Sequence, residues 1–219
     1  MQTETLVLPG KRLTEGKPTK GTGVVETPTA RAYIATIVGT SPYSQSLAVR
    51  EEKRKGETDD DREKRTWRRR IHADENDDVF IPPTAIKNAL YEIAKYLSES
   101  RPGKGKLTYT KHFEAGLAVL EPAYLGIKKD DVAGQDLFLS AKGIRGAKGG
   151  ARVWRTYPVI PPGWRATVRI DLIDDVLIAN PDIVQRYLEE AGRLIGVGRF
   201  RPSNGGYYGR FTVESFKAA

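Results

Sequence analysis

The sequence predicts an α+β sandwich built on the split βαβ order of a ferredoxin-like domain, and three observations predict it. A loosely alternating stretch, Ala30 to Val38, ends at the turn signal Gly39-Thr40-Ser41-Pro42 and reads as a first core strand. Two amphipathic helices follow, far apart in the chain. Strand candidates lie between the helices and after the second one. The resulting order of strand, helix, strands, helix, strand is the βαββαβ plan. A chain of 219 residues can bury a single core with room for an insertion.

Each element carries its own signal. Ile86, Ala89, Leu90, Ile93, Ala94 and Leu97 fall at helical spacing and give the first helix one apolar stripe. Thr84 is the expected N-cap, and Arg101-Pro102-Gly103 the stop. Strands are expected at 106–109, 116–120, 137–140, 153–160 and 164–173. In the last of these Ala166, Val168, Ile170 and Leu172 alternate with Thr167, Arg169 and Asp171. Asn180-Pro181 opens the second helix, with proline in the first helical position. Val184, Tyr187, Leu188, Ala191 and Leu194 form its buried stripe. A final strand is expected at 208–213.

Two segments fall outside this plan. Residues 1–29 are rich in Gly, Pro, Thr and Lys, with one apolar patch at Leu6-Val7-Leu8, and read as an extended N-terminal arm. The domain proper is expected over 30–219, with 44–78 as an inserted charged segment. Arg50 to Asp77 holds ten basic and ten acidic residues and little that is apolar except Trp67 and Ile71. It is expected to project as a hairpin or mobile loop.

Charge points to a polyanionic partner. The formal net charge is +8, and its distribution is uneven. No acidic residue lies between Asp136 and Asp171, while Lys142, Arg145, Lys148 and Arg152 do, among several glycines. Arg62 to Arg70 sets six basic residues, including Arg65, Arg68, Arg69 and Arg70, around Trp67 and against the single acid Glu63. The densest signal is Ile195 to Phe211, where five glycines, three arginines and four aromatics share seventeen residues. Glycine lets amides approach a phosphate, arginine neutralises it, and an aromatic face accepts a base.

On these segments the chain resembles the RAMP superfamily, the repeat-associated RNA-binding proteins of CRISPR effector complexes, and their viral relatives. Gly39-Thr40-Ser41-Pro42 is similar to the end of the family's opening strand. Phe80-Ile81-Pro82-Pro83-Thr84-Ala85-Ile86-Lys87-Asn88-Ala89-Leu90 is similar to the start of its first helix. Residues 195–211 stand where the family has its glycine-rich loop, and the charged insertion stands where its backbone subunits carry a thumb. Pro83 and Thr84 replace glycine and serine of the family pattern, and Asn88 replaces glycine. The resemblance implies a modified ferredoxin or RRM-like domain that grips single-stranded RNA, often as a homo-oligomer along the strand or as a subunit of a ribonucleoprotein complex. Separately, the absence of cysteine and of any apolar run near the roughly 18 residues that span a bilayer makes a cytoplasmic protein without a membrane role the expectation.

The expected nucleic-acid contacts are Lys87 and Asn88 at the helix start, Lys142, Arg145, Lys148 and Arg152 in the acid-free stretch, and Arg65, Trp67, Arg68, Arg69 and Arg70 in the insertion. Arg199, Arg201, Asn204, Tyr207, Tyr208 and Arg210 complete the set in the glycine-rich loop. Each has a blander reading as solvated charge or core. Tyr207 and Tyr208 point opposite ways on a strand, so at most one stacks on a base. Single-stranded DNA is the alternative ligand, for a viral binding or annealing protein, and a virion subunit offsetting genome charge is a third option. Catalysis has thin support. His72 and His112 stand alone; Asp59-Asp60-Asp61 is the candidate for a divalent cation, and those acids or His72 are the candidates for an endoribonuclease. No nucleotide-cradling, serine-elbow or zinc-spacing motif is present, and with no cysteine there is no thiolate site, so neither cofactor nor resident metal is expected.

Overall fold

The structure is a computed structural model that describes residues 30–140 and 152–219. It is a mixed α+β fold with antiparallel sheets. The expected arm over 1–29 and the basic residues Lys142, Arg145 and Lys148 lie outside the described residues.

The main sheet has four strands in the order β4 (Leu117–Ala118), β8 (Arg165–Leu172), β1 (Arg31–Gly39), β9 (Phe211–Ala218), all antiparallel. Period-two patterning sets the register. Ala35 and Ile37 of β1 face the same core as their partners Val168 and Ala166, and all four are buried. Arg165, Thr167 and Arg169 turn to the open face. Helices α2 (Pro83–Leu97) and α5 (Pro181–Glu190) cover the inner face through the stripes read from the sequence. Ile86, Leu90 and Ile93 of α2 and Val184, Tyr187 and Leu188 of α5 are fully buried, each contributing on the order of 1.5–3 kcal/mol. Past α5 the chain makes a π-turn over Ala191–Ile195. A Cβ on Gly192 would sit 2.2 Å from the Phe211 carbonyl oxygen, so only glycine lets this turn close on β9.

Two smaller sheets complete the molecule. One has the order β2 (Tyr43–Ser44), β7 (Arg152–Ile160), β6 (Ala133–Ser140), and the other pairs β3 (Asp78–Ile81) with β5 (Ala123–Lys128). Short helices α3 (Thr110–Ala115) and α4 (Asp175–Ala179) flank the core. Phe113 of α3 stacks on Tyr187 with ring centroids 4.5 Å apart.

Several expectations are corrected. The charged insertion contains a helix, α1 (Asp59–Thr66), continued by a 3₁₀ turn over Trp67–Arg70. Thr58 caps it by accepting from the Asp61 amide; acids occupy its first turn, and Lys64 and Arg65 its last. That arrangement complements the helix dipole, which alternation-based reading overlooks because α1 lacks an apolar stripe. Residues 106–109 are not a strand. Gly103 and Gly105 turn with φ of 68° and 62°, only an isolated Ser100–Thr108 bridge forms, and Leu107 is 61% exposed. The N-cap position of α2 falls on Pro82, not Thr84, with no side-chain hydrogen bond. Ser98, at φ 44°, ends α2 before Arg101-Pro102-Gly103 is reached. The last strand begins at Phe211, since Gly209 at φ 70° interrupts it.

Candidate nucleic-acid interface

An open cavity of about 430 Å³ lies where three distant segments meet. The start of α2 supplies Thr84, Ala85 and Asn88; the glycine-rich loop supplies Gly198, Arg199, Arg201 and Asn204; Gln45, Ser46 and His72 close the third side. Because α2 begins without a side-chain cap, the positive pole of the helix faces this space uncovered. The expected residues Asn88, Arg199, Arg201 and Asn204 are therefore brought together.

The glycine-rich loop keeps its shape by internal hydrogen bonds. The Arg199 amide donates to the Ser44 carbonyl at 2.8 Å, the Gly209 amide to that of Pro42 at 2.7 Å, and the Tyr208 amide to that of Phe200 at 2.9 Å. The amides of Gly196, Gly205 and Gly206 also donate within the protein. These glycine amides are thus taken up within the protein, and cations and side-chain amides remain the groups that face the cavity. Arg199 is held flat, its guanidinium carbon 4.3 Å from the Tyr157 ring centroid and its Nη1 donating to Ser46 Oγ at 3.3 Å. Arg201 donates to Ser203 Oγ and to Glu92. Phe200 is half-buried, edge-on to Tyr157 and Tyr208.

The remaining loop residues separate. Tyr208 is buried, with its hydroxyl donating to Gln135 at 3.2 Å. Tyr207 is 69% exposed beside it, rings 5.2 Å apart, so one tyrosine of the pair presents a face to solvent. Arg210 turns away to donate to the Arg193 carbonyl. Lys87 also points elsewhere: its ammonium donates to the Phe113 and Glu114 carbonyls at 2.6 and 2.8 Å, ending α3, and burial lowers its pKa.

The arginines of the insertion are largely neutralised from within. Glu63, buried against β7, ion-pairs with Arg70 at 2.7 Å and Arg155 at 3.1 Å and accepts from the Thr156 amide at 3.0 Å. Arg65 joins Glu51 and Glu57, and Arg69 meets Glu51 at 2.7 Å. Hydrogen bonds from Arg65 hold the Glu57 carboxyl down at about 2. Arg68 lies over the Trp67 ring and donates to the Val132 carbonyl at 3.2 Å, and Trp67 packs against Gly134. Arg152 lies on β7. The acids Asp59, Asp60 and Asp61 serve the first turn of α1. Among the described residues no group of three or more His, Cys, Asp or Glu is placed to hold a metal ion.

Sequence reasoning missed the third wall, Gln45, Ser46 and His72. Gln45 is buried, donating to the Phe80 carbonyl at 2.7 Å and accepting from the His72 amide at 2.7 Å. No spacing in the chain announces that link across 27 residues. A second surprise is His112, whose Nδ1 lies 2.9 Å from Asp174 while Arg101 reaches Nε2 at 3.0 Å. A guanidinium only donates, so Nε2 accepts and Nδ1 carries the proton toward Asp174. Asp174 also caps α4. Burial raises its pKa, but the hydrogen bonds from His112 and the α4 amides outweigh that and lower it. Both imidazole nitrogens are engaged, which makes this pair a tie between helices.

No family model matches the chain, and no curated protein does. Among the described residues no helix is long and apolar enough to cross a membrane. Among solved structures the chain is similar to part of the type III-B Cmr-beta complex bound to cognate target RNA, at 15% identity and a TM-score of 0.49. That match covers 86% of this chain and 60% of the other, so the present chain spans about 60% of that relative's length. It is also similar to Cmr6 from Pyrococcus furiosus, at 12% identity and a TM-score of 0.43, covering 88% of this chain and 100% of that one.

Proposed function

We propose that this protein binds single-stranded nucleic acid, RNA in the first place, as a RAMP-type subunit of a ribonucleoprotein complex. The strand runs over the cavity between the start of α2 and the glycine-rich loop. The strand order β4-β8-β1-β9, with α2 and α5 on one face, is read here as the ferredoxin or RRM-like plan. One observation carries the reading: Asn88 meets Arg199, Arg201 and Asn204, over 110 residues away in the chain, around one open cavity at the amide end of a helix. Arg199 and Arg201 meet phosphates, the α2 pole adds to their field, and Tyr207 offers its face to a base. Contacts to the backbone dominate, so binding is tolerant of sequence and falls steeply with salt.

The test is fluorescence anisotropy with labelled single strands of RNA and matched DNA across a salt series, using wild type, Asn88→Asp and Asn204→Asp. Both side chains are exposed, so the fold is retained, as circular dichroism will verify. The expected result is about tenfold weaker binding for each variant on every sequence, one added charge near a phosphate being worth roughly 1 kcal/mol or more. Unchanged affinity in both variants sinks the proposal. Equal affinity for DNA removes RNA as the preferred ligand.

A further inference from the structure

Asn88, Asn204 and His72 bring hydrogen-bonding groups to the cavity at the start of α2 that the protein leaves unused. All three line it, and among the described residues neither carboxamide and neither imidazole nitrogen has a hydrogen-bond partner. The backbone of His72 is pinned at this wall. Its amide donates to Gln45 Oε1 at 2.7 Å, and its carbonyl accepts from the Phe80 amide at 3.1 Å. Burial lowers the pKa of the ring, so at neutral pH it is uncharged and carries one donor and one acceptor.

Such groups say what the cavity takes. A carboxamide presents an acceptor oxygen beside its two donors, whereas a phosphodiester presents acceptors only. Arginine satisfies a phosphate; the carboxamide oxygens of Asn88 and Asn204 need a ligand that brings donors. In a nucleic-acid strand those donors lie on a base edge or, in RNA, on the ribose 2′-hydroxyl. A cavity of about 430 Å³ stands at the lower end of the small-ligand range, roughly 300–1,000 Å³, and suits a single base better than a run of them.

The arginines narrow the choice of base. Guanine is read by a guanidinium fork on O6 and N7. Here Arg201 commits Nε to Ser203 and Nη2 to Glu92, and Arg199 commits Nη1 to Ser46 while its Nε is buried. No edge of either fork is wholly free. A carboxamide instead pairs with a donor beside a ring acceptor. Adenine offers an amino group and a ring nitrogen on two edges, N6 with N7 and N6 with N1, and cytosine on one only. We propose that this cavity takes one adenine of the bound strand, its 6-amino group shared between the Asn88 and Asn204 carboxamides. Such a site rests on the strand-binding reading above and adds one read position to contacts otherwise made through the backbone.

The test compares short homopolymeric RNA strands of adenosine, cytidine and uridine with one of purine riboside, which keeps the stacking purine ring and lacks only the 6-amino group. Fluorescence anisotropy at one salt concentration reads the affinities. Wild type should bind the adenosine strand about tenfold or more tighter than the purine riboside strand, as a bidentate base contact warrants. That ratio should fall at least about threefold in Asn88→Ala and in Asn204→Ala, and to about one in the double variant; both positions are exposed, so the core is spared. Equal wild-type affinity for the two purine strands overturns the proposal, and so does a ratio that survives in the double variant. Tighter binding of cytidine or uridine does the same. A deoxyadenosine strand that binds weakly while purine riboside binds like adenosine would assign the free groups to the ribose hydroxyl, and the adenine site falls. Each of these results leaves the backbone contact standing, because the strands still bind; a protein that binds none of them removes both readings.

Discussion

Arg201 of the glycine-rich loop places Nη2 3.0 Å from Oε2 of Glu92 on α2, a contact between residues 109 apart in the chain. The pair pins the loop against the helix and sets an acid beside one of the two arginines that line the cavity. Both side chains are partly exposed, so the pair itself contributes at most about 1 kcal/mol to stability. Glu92→Gln should therefore leave the fold intact and free the guanidinium. We expect single-strand affinity to rise several-fold and the logarithmic salt slope to steepen by up to about 0.7, as the phosphate contact of Arg201 loses its competing carboxylate. Anisotropy titrations at several salt concentrations measure both.

Glu63 is the hinge of the charged insertion. Its carboxylate is buried and meets Arg70, Arg155 and the Thr156 amide together. Glu63→Ala leaves two guanidinium groups and an amide without their partner, a loss of roughly 3–5 kcal/mol. Denaturant unfolding should show that loss, and limited proteolysis should begin within 50–78. Unchanged stability would mean that α1 is not held to β7 by this carboxylate.

The glycines of the loop divide into those that pack and those that only turn. A Cβ at Gly209 would lie 1.8 Å from the Val197 carbonyl oxygen at φ 70°, whereas at Gly205, φ 76°, nothing lies within 4 Å. Gly205→Ala should cost only the left-handed strain, about 1–2 kcal/mol. Gly209→Ala should cost far more and can prevent folding. Thermal melts of the two variants distinguish these cases; equal melting temperatures would contradict the packing account.

His72 gives the protein an acid-side sensitivity. Burial lowers its pKa, so the unfolded chain takes up a proton, near pH 6.5, before the folded protein does. Stability from this group is complete above about pH 6.5 and declines as pH falls toward the lowered folded value. Urea midpoints between pH 8 and 5 should show a decline that His72→Gln flattens. A parallel decline in that variant would assign the effect to other groups.

How far the chain could be read depended on whether each signal was local. Helices α2 and α5 and strands β1 and β8 were legible because their apolar residues repeat at 3.6 or 2 over eight or more positions. Helix α1 was not, since its signals are a threonine cap and a charge gradient inside a run that composition assigns to solvent. Asn88, Arg199, Arg201 and Asn204 were legible one by one as polar or cationic groups beside a helix start or among glycines. Arg65, Arg69, Arg70, Lys87 and Arg210 had the same local appearance, yet the fold gives them carboxylates and carbonyls of its own.

The sequence alone determined the α+β class, the two core helices and a cationic, glycine-rich segment after the second of them, because periodicity and composition act over neighbouring residues. Tertiary structure alone decided which cations face an open cavity and which are spent on Glu51, Glu57 and Glu63. It also supplied Gln45, Ser46 and His72 as the third wall. Charge neutralisation and cavity shape depend on distances between groups tens of residues apart, and those distances exist only once the chain has closed its core.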